Sequence, residues 1–102
     1  MIRRVNFAEA HEILTSRPDA VLLDVRDEAE YITGHAVDSI LLPNHEIDED
    51  LAADAIPTYD TPVLVYCRSG RRSAEAARKL DEYGYTEIYD IGSLAGWPYG
   101  LV

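Results

Sequence analysis

Cys67 is the only cysteine among the 102 residues, and its surroundings are those of a reactive thiol. It ends an apolar run, Val63 to Tyr66, that reads as a buried strand, and it precedes the tight polar stretch Arg68-Ser69-Gly70-Arg71-Arg72. From Ser73 the spacing turns helical. Ala74, Ala77 and Leu80 recur every third residue, and Gly84 stands where a helix stop is expected. The cysteine thus falls between the end of a strand and the start of a helix. The unpaired N–H groups of a first helical turn carry partial positive charge, which favours thiolate over thiol, and three nearby arginines add to it. A lone buried cysteine is usually an inert small hydrophobe. In this setting Cys67 is expected to be a nucleophile.

Few other groups are needed. Gly70 allows the backbone conformation that a tight loop requires. The backbone N–H groups from Arg68 to Ser73 can form a cradle for an anion. Because the field of the loop can deprotonate Cys67, no separate general base is invoked. Arg68 and Arg71 are expected at the mouth, where they would steer an anionic ligand. For Arg72 two roles stay open: supporting the loop through a carboxylate, or touching the ligand directly.

Flanking elements must hold this loop. Residues 3–6 suit a short edge strand. Phe7, Ala10, Ile13 and Leu14 mark an amphipathic helix over 7–15, capped by Asn6. Arg17-Pro18-Asp19 is a turn, and Ala20 to Val25 reads as a strand covered on both faces. Asp27 to Tyr31 form a short acidic helix capped by Asp27 and closed by Gly34, and Ile40 to Leu42 form another strand. The acidic stretch 44–60 predicts a helix with one solvated face, a loose covering segment. After Gly84, Thr86 to Ile91 is a strand with Ile88 and Ile91 inward, Gly92 is a turn, and Ser93 to Tyr99 form a last helical turn. Strands alternating with helices predict a single α/β domain over 1–102 with a mainly parallel sheet, and sites in such sheets lie at the carboxyl ends of strands. Cys67 is in that place.

Asp24 and Arg26 are expected to form a hydrogen-bonded pair that holds the fold. His35 is expected to bond to backbone or a carboxylate in a supporting role, not to act as a base. His11 and His45 have no evident partners and are expected to be exposed, and Trp97 to pack in the core. One cysteine and three scattered histidines do not make metal-ligand spacing, so neither a metal nor another cofactor is expected.

The formal net charge is −10, from 19 acidic and 9 basic residues, which disfavours nucleic acid and anionic lipid as partners. Arg68, Arg71 and Arg72 concentrate three of the nine basic residues beside the one thiol. An acidic protein with a local cationic mouth suggests a small anionic ligand there. No apolar stretch approaches the length of a membrane span, and the first residues do not read as a signal peptide. A single cysteine suits a reducing compartment, so a cytoplasmic protein is expected.

Cys67-Arg68-Ser69-Gly70-Arg71-Arg72-Ser73 resembles the C-x-x-G-x-R-S loop of rhodanese-like sulfurtransferases. Leu23-Asp24-Val25-Arg26 with Glu30, Tyr31, Gly34 and His35 is similar to that family's D-V-R…E-Y…G-H signature, and Tyr83-Gly84-Tyr85 through Gly92 to Trp97 to its closing segment. The resemblance implies a rhodanese-like fold, a central sheet of about five strands flanked by helices. It implies transfer of a sulfane sulfur: Cys67 takes sulfur from a donor such as thiosulfate as a persulfide, and cyanide, a small thiol or a sulfur-accepting protein removes it. A non-enzymatic sulfur-carrier fed by a partner protein, or an interaction module, shares the same loop. Phosphatase relatives have a loop one residue longer than the span Cys67 to Arg72, which argues against phosphatase or arsenate-reductase-like chemistry. The chain departs from the family where Ala36-Val37-Asp38-Ser39 replaces Ile-Pro-Gly-Ala; Asp38 is a residue that can take the left-handed conformation glycine would adopt. It departs again at Gly92-Ser93, in place of a double glycine.

Overall fold

The computed structural model describes residues 1–102. Strands and helices alternate as β1 (Ile2–Arg4), α1 (Phe7–Ser16), β2 (Val21–Asp24), α2 (Glu28–Thr33), β3 (Ile40–Leu41), α3 (Glu49–Ala55), β4 (Val63–Cys67), α4 (Arg71–Tyr83) and β5 (Ile88–Ser93). A short 3-10 turn at Asn44–Glu46 precedes α3. The five strands form one sheet in the order β1-β5-β4-β2-β3, and every pair is parallel.

A parallel sheet buries both faces, because its crossover connections lie on them. One face packs Ala76, Ala77 and Leu80 of α4, with Ala52 and Ile56, onto Val21, Leu23, Val63 and Val65. The other packs Ala10 of α1 and Trp97 against Leu22, Leu64, Tyr66 and Ile91. Each fully buried Val, Leu or Ile contributes about 1.5–3 kcal/mol, so β4, buried along its whole length, anchors the sheet. Side chains alternate along a strand. Val63, Val65 and Cys67 therefore face α4, whereas Leu64 and Tyr66 face the α1 layer.

The helix ends follow from local chemistry. The Asn6 side chain accepts from the Glu9 N–H at 2.8 Å, and the Asn6 N–H donates to the Glu9 carboxylate at 2.9 Å, a reciprocal cap for α1. Gly84, with φ 104°, ends α4 in the left-handed conformation.

Four local expectations change. Helix α4 begins at Arg71, two residues earlier than the apolar spacing indicates, because Gly70 (φ 103°) already turns the chain into it. The 44–60 segment is not loose: Ile47, Ala52 and Ile56 are buried in the core. Gly92 lies within β5, not in a turn after it; Val65 pairs with Asp90 and Tyr66 with Gly92, leaving Ile91 as an extra bulged residue. Residues 94–99 form turns without a helix, and Gly96 (φ 87°) and Gly100 (φ 107°) are incompatible with helical continuation.

Candidate active site

Cys67 closes β4 directly beneath the first turn of α4. Gly70 curls the loop back so that its N–H points at the Cys67 Sγ, 2.9 Å away. Burial pushes the thiol up, but hydrogen bonds from the hydroxyl and N–H of Ser73 and from the N–H groups of Gly70 and Ser69 outweigh it. The net effect sets Cys67 below an ordinary thiol. The Ser73 hydroxyl also reaches the Gly70 carbonyl oxygen at 3.1 Å. Its single proton serves either acceptor, and a thiolate is the stronger one.

The loop arginines divide. Arg71 and Arg72 lie in the first turn of α4, a helix end that carries no acidic residue of its own. Cations there oppose the helix dipole, so each needs a nearby anion. Arg72 finds Glu30 of α2, with bonds of 2.7 and 3.0 Å to its two carboxylate oxygens. Of the two roles open to Arg72, the structure shows the carboxylate pair. That bond, partly opposed by burial, holds the Glu30 carboxyl down to about 2. Arg71 is exposed and reaches Glu75 at 3.4 Å. Arg68 is exposed and has no carboxylate partner.

Behind the loop stands a buried polar frame. Arg26 Nε lies 3.0 Å from both Asp24 oxygens, its Nη2 donates to Oδ2 at 2.6 Å, and its backbone N–H donates to Oδ1 at 2.9 Å. Nη2 also donates to the Gly34 carbonyl at 2.7 Å. From the neighbouring strand, the Tyr66 hydroxyl donates to Asp24 Oδ2 at 2.7 Å and accepts from the Ala36 N–H at 3.2 Å, with Ser39 Oγ at 3.1 Å. Burial first, then the bond to Asp24, pushes the Tyr66 phenol up to about 12. His35 Nδ1 lies 2.8 Å from the Tyr31 carbonyl oxygen, and its ring stacks on Tyr31 at 3.6 Å. Asp38 takes a φ of 67°, so an aspartate sits at the left-handed position of this turn.

The segment after β5 closes the far side. The Leu94 N–H donates to the Cys67 carbonyl at 3.0 Å, and Ser93 Oγ donates to the Arg68 carbonyl at 2.6 Å. Cys67 is fully covered in this arrangement. Tyr66 and Ser93 are site-supporting residues that motif spacing does not disclose, and Glu30, although part of the recognised signature, gains its role only from its pairing with Arg72. Glu30 and Arg72 are 42 residues apart, and Tyr66 reads from its sequence as one more apolar strand position.

Other expectations resolve elsewhere. His11 is not exposed without a partner: it is half-buried and stacks parallel to Tyr99 at 3.8 Å. His45 is exposed, 3.5 Å from Glu46 and 3.8 Å from Asp27. Trp97 is buried, with Phe7 edge-on at 5.3 Å. No three His, Cys, Asp or Glu side chains converge so as to hold a metal ion. No helix is long and apolar enough to cross a membrane.

A buried thiol with a lowered pKa, ringed by N–H donors, is arranged to attack an electrophile and to hold the anion that results. Comparison with known proteins shows the family of the chain. The sequence pattern of the rhodanese-like domain matches residues 6–98. A solved rhodanese with anions from E. coli is 32% identical, covering 81% of this chain and 96% of its own, with a TM-score of 0.76. A rhodanese-related protein from Thermoplasma volcanium is 29% identical over 98% of this chain and 97% of its own, with a TM-score of 0.79. A protein from Anabaena sp., 21% identical, reaches a TM-score of 0.86 over 96% of this chain and 90% of its own, a likeness of fold alone. The chain belongs to the rhodanese-like domain family.

Proposed function

We propose that this protein is a sulfurtransferase that carries sulfane sulfur as a persulfide on Cys67. The observation that carries the reading is the lowered pKa of a thiol whose sulfur accepts the Gly70 N–H at 2.9 Å. The thiolate attacks the outer sulfur of thiosulfate; the new S–S bond forms as the old one breaks, and sulfite leaves with the electron pair. The negative charge then lies on the outer persulfide sulfur, within the same ring of donors. Cyanide or a thiolate attacks that sulfur and restores the Cys67 thiolate. Arg68, exposed and without a carboxylate partner, is the residue best placed to attract an anionic donor.

The test is intact mass after incubation with thiosulfate, before and after cyanide. Gain of one sulfur atom, reversed by cyanide and absent in Cys67→Ala, is the expected result. Cys67→Ser should abolish turnover, and retained turnover would overturn the proposal.

A second reading, a carrier loaded only by a partner protein, is favoured by one feature: Cys67 is fully covered. A donor reaches the sulfur only when the loop opens, and a partner could drive that opening. Loading by a persulfidated partner but not by thiosulfate would establish it. Phosphatase chemistry is disfavoured by the loop length, since the span Cys67 to Arg72 is one residue shorter than in phosphatase relatives.

A further inference from the structure

The Ser93 hydroxyl is held in two hydrogen bonds beside the loop. Its oxygen accepts the Ala95 N–H at 3.1 Å, and its one proton goes to the Arg68 carbonyl oxygen at 2.6 Å. That carbonyl belongs to the peptide joining Arg68 to Ser69. No peptide bond in the chain is cis, and across a planar trans peptide the C=O and the N–H point in opposite directions. Fixing the carbonyl toward Ser93 therefore fixes the Ser69 N–H on the other side. There it meets the Cys67 sulfur as one of the donors that favour the thiolate.

The bulge in β5 delivers Ser93 to this place. Val65 pairs with Asp90, but Tyr66 pairs with Gly92 and Cys67 with Ser93, because Ile91 is an extra residue. Without it Gly92 would stand opposite Cys67, and glycine has no hydroxyl to offer. A buried carboxylate that the sulfur chemistry does not use holds the bulge. Asp90 is only 2% exposed, its Oδ1 accepts the Gly92 N–H at 2.9 Å, and its Oδ2 lies 3.8 Å from the Arg4 guanidinium. One residue beyond Ser93, the Leu94 N–H donates to the Cys67 carbonyl at 3.0 Å, so consecutive carbonyls of the loop are tied down from one segment. Ser93 is also where the chain departs from a double glycine, which makes the hydroxyl a feature of this sequence.

We infer that Ser93 is a positioning residue for the Cys67 thiolate: by locking the plane of the Arg68–Ser69 peptide, its hydroxyl keeps the Ser69 N–H aimed at the sulfur. The inference rests on the sulfurtransferase reading above only in taking Cys67 as a working thiolate, and it names a residue that keeps that thiolate formed. Ser93 bonds the Arg68 carbonyl and not the sulfur, so its effect on Cys67 passes through the peptide plane. It is a property of the free protein, present before any donor arrives.

The experiment titrates Cys67 by the ultraviolet absorbance of its thiolate, in the unaltered protein, in Ser93→Ala and in Ser93→Thr. Each is read against its counterpart carrying Cys67→Ala, so that the tyrosines cancel and the signal belongs to the one cysteine. The apparent pKa is expected to rise by about 0.5–1 in Ser93→Ala, as a donor to a charged acceptor loses its aim, and to return in Ser93→Thr, which keeps the hydroxyl. Ser93 is partly exposed at the end of β5, so neither change threatens the core. An unchanged apparent pKa in Ser93→Ala would overturn the assignment. So would a rise of equal size in Ser93→Thr, which would mark a disturbed strand end and not a lost hydroxyl. Intact mass after sulfur loading tests the other reading separately. If Cys67 takes up no sulfur while the Ser93 dependence holds, the sulfurtransferase reading falls and the positioning role stands.

Discussion

Arg72 and Glu30 grip one another through two parallel hydrogen bonds of 2.7 and 3.0 Å, joining the first turn of α4 to α2. The same carboxylate accepts the Asp27 N–H at 3.1 Å, so one side chain caps α2 and steadies the helix above the thiol. Both partners are mostly covered, with 23% and 26% of their side chains exposed.

The pair makes stability depend on pH in a defined window. Glu30 is lowered from 4.5 to about 2 on folding. A depressed carboxyl stabilises the fold fully above its unfolded value, and that contribution is lost as pH falls through its folded value. Glu30→Gln should therefore cost about 1–2 kcal/mol at pH 7, less than the full shift implies, because water screens part of the pair. Urea unfolding from pH 7 to pH 2 should show the gap between the two proteins closing below about pH 4.5.

Ser73→Ala removes a hydroxyl that favours the Cys67 thiolate. The apparent pKa for alkylation of Cys67 by iodoacetamide should rise, and the rate at pH 7 should fall by about threefold to tenfold. An unchanged pH profile would show that the N–H groups alone set the thiolate.

Tyr66→Phe strips the phenol from the buried frame, leaving the Ala36 N–H without its partner and removing one donor from Asp24 Oδ2, which keeps its bonds from Arg26. The expected loss is about 1–3 kcal/mol in urea unfolding at pH 7. Tyr66 is raised to about 12, so its neutral form stabilises the fold below the unfolded value near 10 and is lost as pH rises through 12. The difference between the two proteins should shrink across that alkaline range.

Gly92→Ala places a Cβ on a residue with φ 81°, 2.9 Å from the Arg4 Nη2. The Arg4 side chain is flexible and can withdraw, but the left-handed backbone strain stays, at about 1–2 kcal/mol. A drop of that size in urea unfolding is expected, and an unchanged midpoint would show that the bulge relaxes.

Much of this architecture is legible in the residues themselves. The unbroken apolar run of β4, the Asn6 cap and the Gly84 stop are local signals, and local signals set elements. The helix start is harder to place, because Arg71 and Arg72 each pair with a carboxylate, Glu75 and Glu30, and so carry no apolar period. Arg72 illustrates what a single sequence withholds: its partner is 42 residues away on another helix, and the chain offers 19 carboxylates to choose among. Gly92 reads as a turn for the same reason it forms a bulge, a left-handed φ, and only the register with β4 separates the two. The stacking of His11 on Tyr99 is likewise a meeting of chain segments that no periodicity announces.

The strand order also sets a timetable for the making of the protein. β1 pairs only with β5, Ile2 to Ile88, so the first strand to be synthesised waits for the last. Such long-range closure is slow relative to local helix formation. The donors that seal the Cys67 and Arg68 carbonyls, the Leu94 N–H and the Ser93 hydroxyl, lie at or just beyond the end of that final strand. A nascent chain that has not reached residue 94 lacks the donors that seal the carbonyls of Cys67 and Arg68, so the thiol acquires its full surroundings only as the sheet closes.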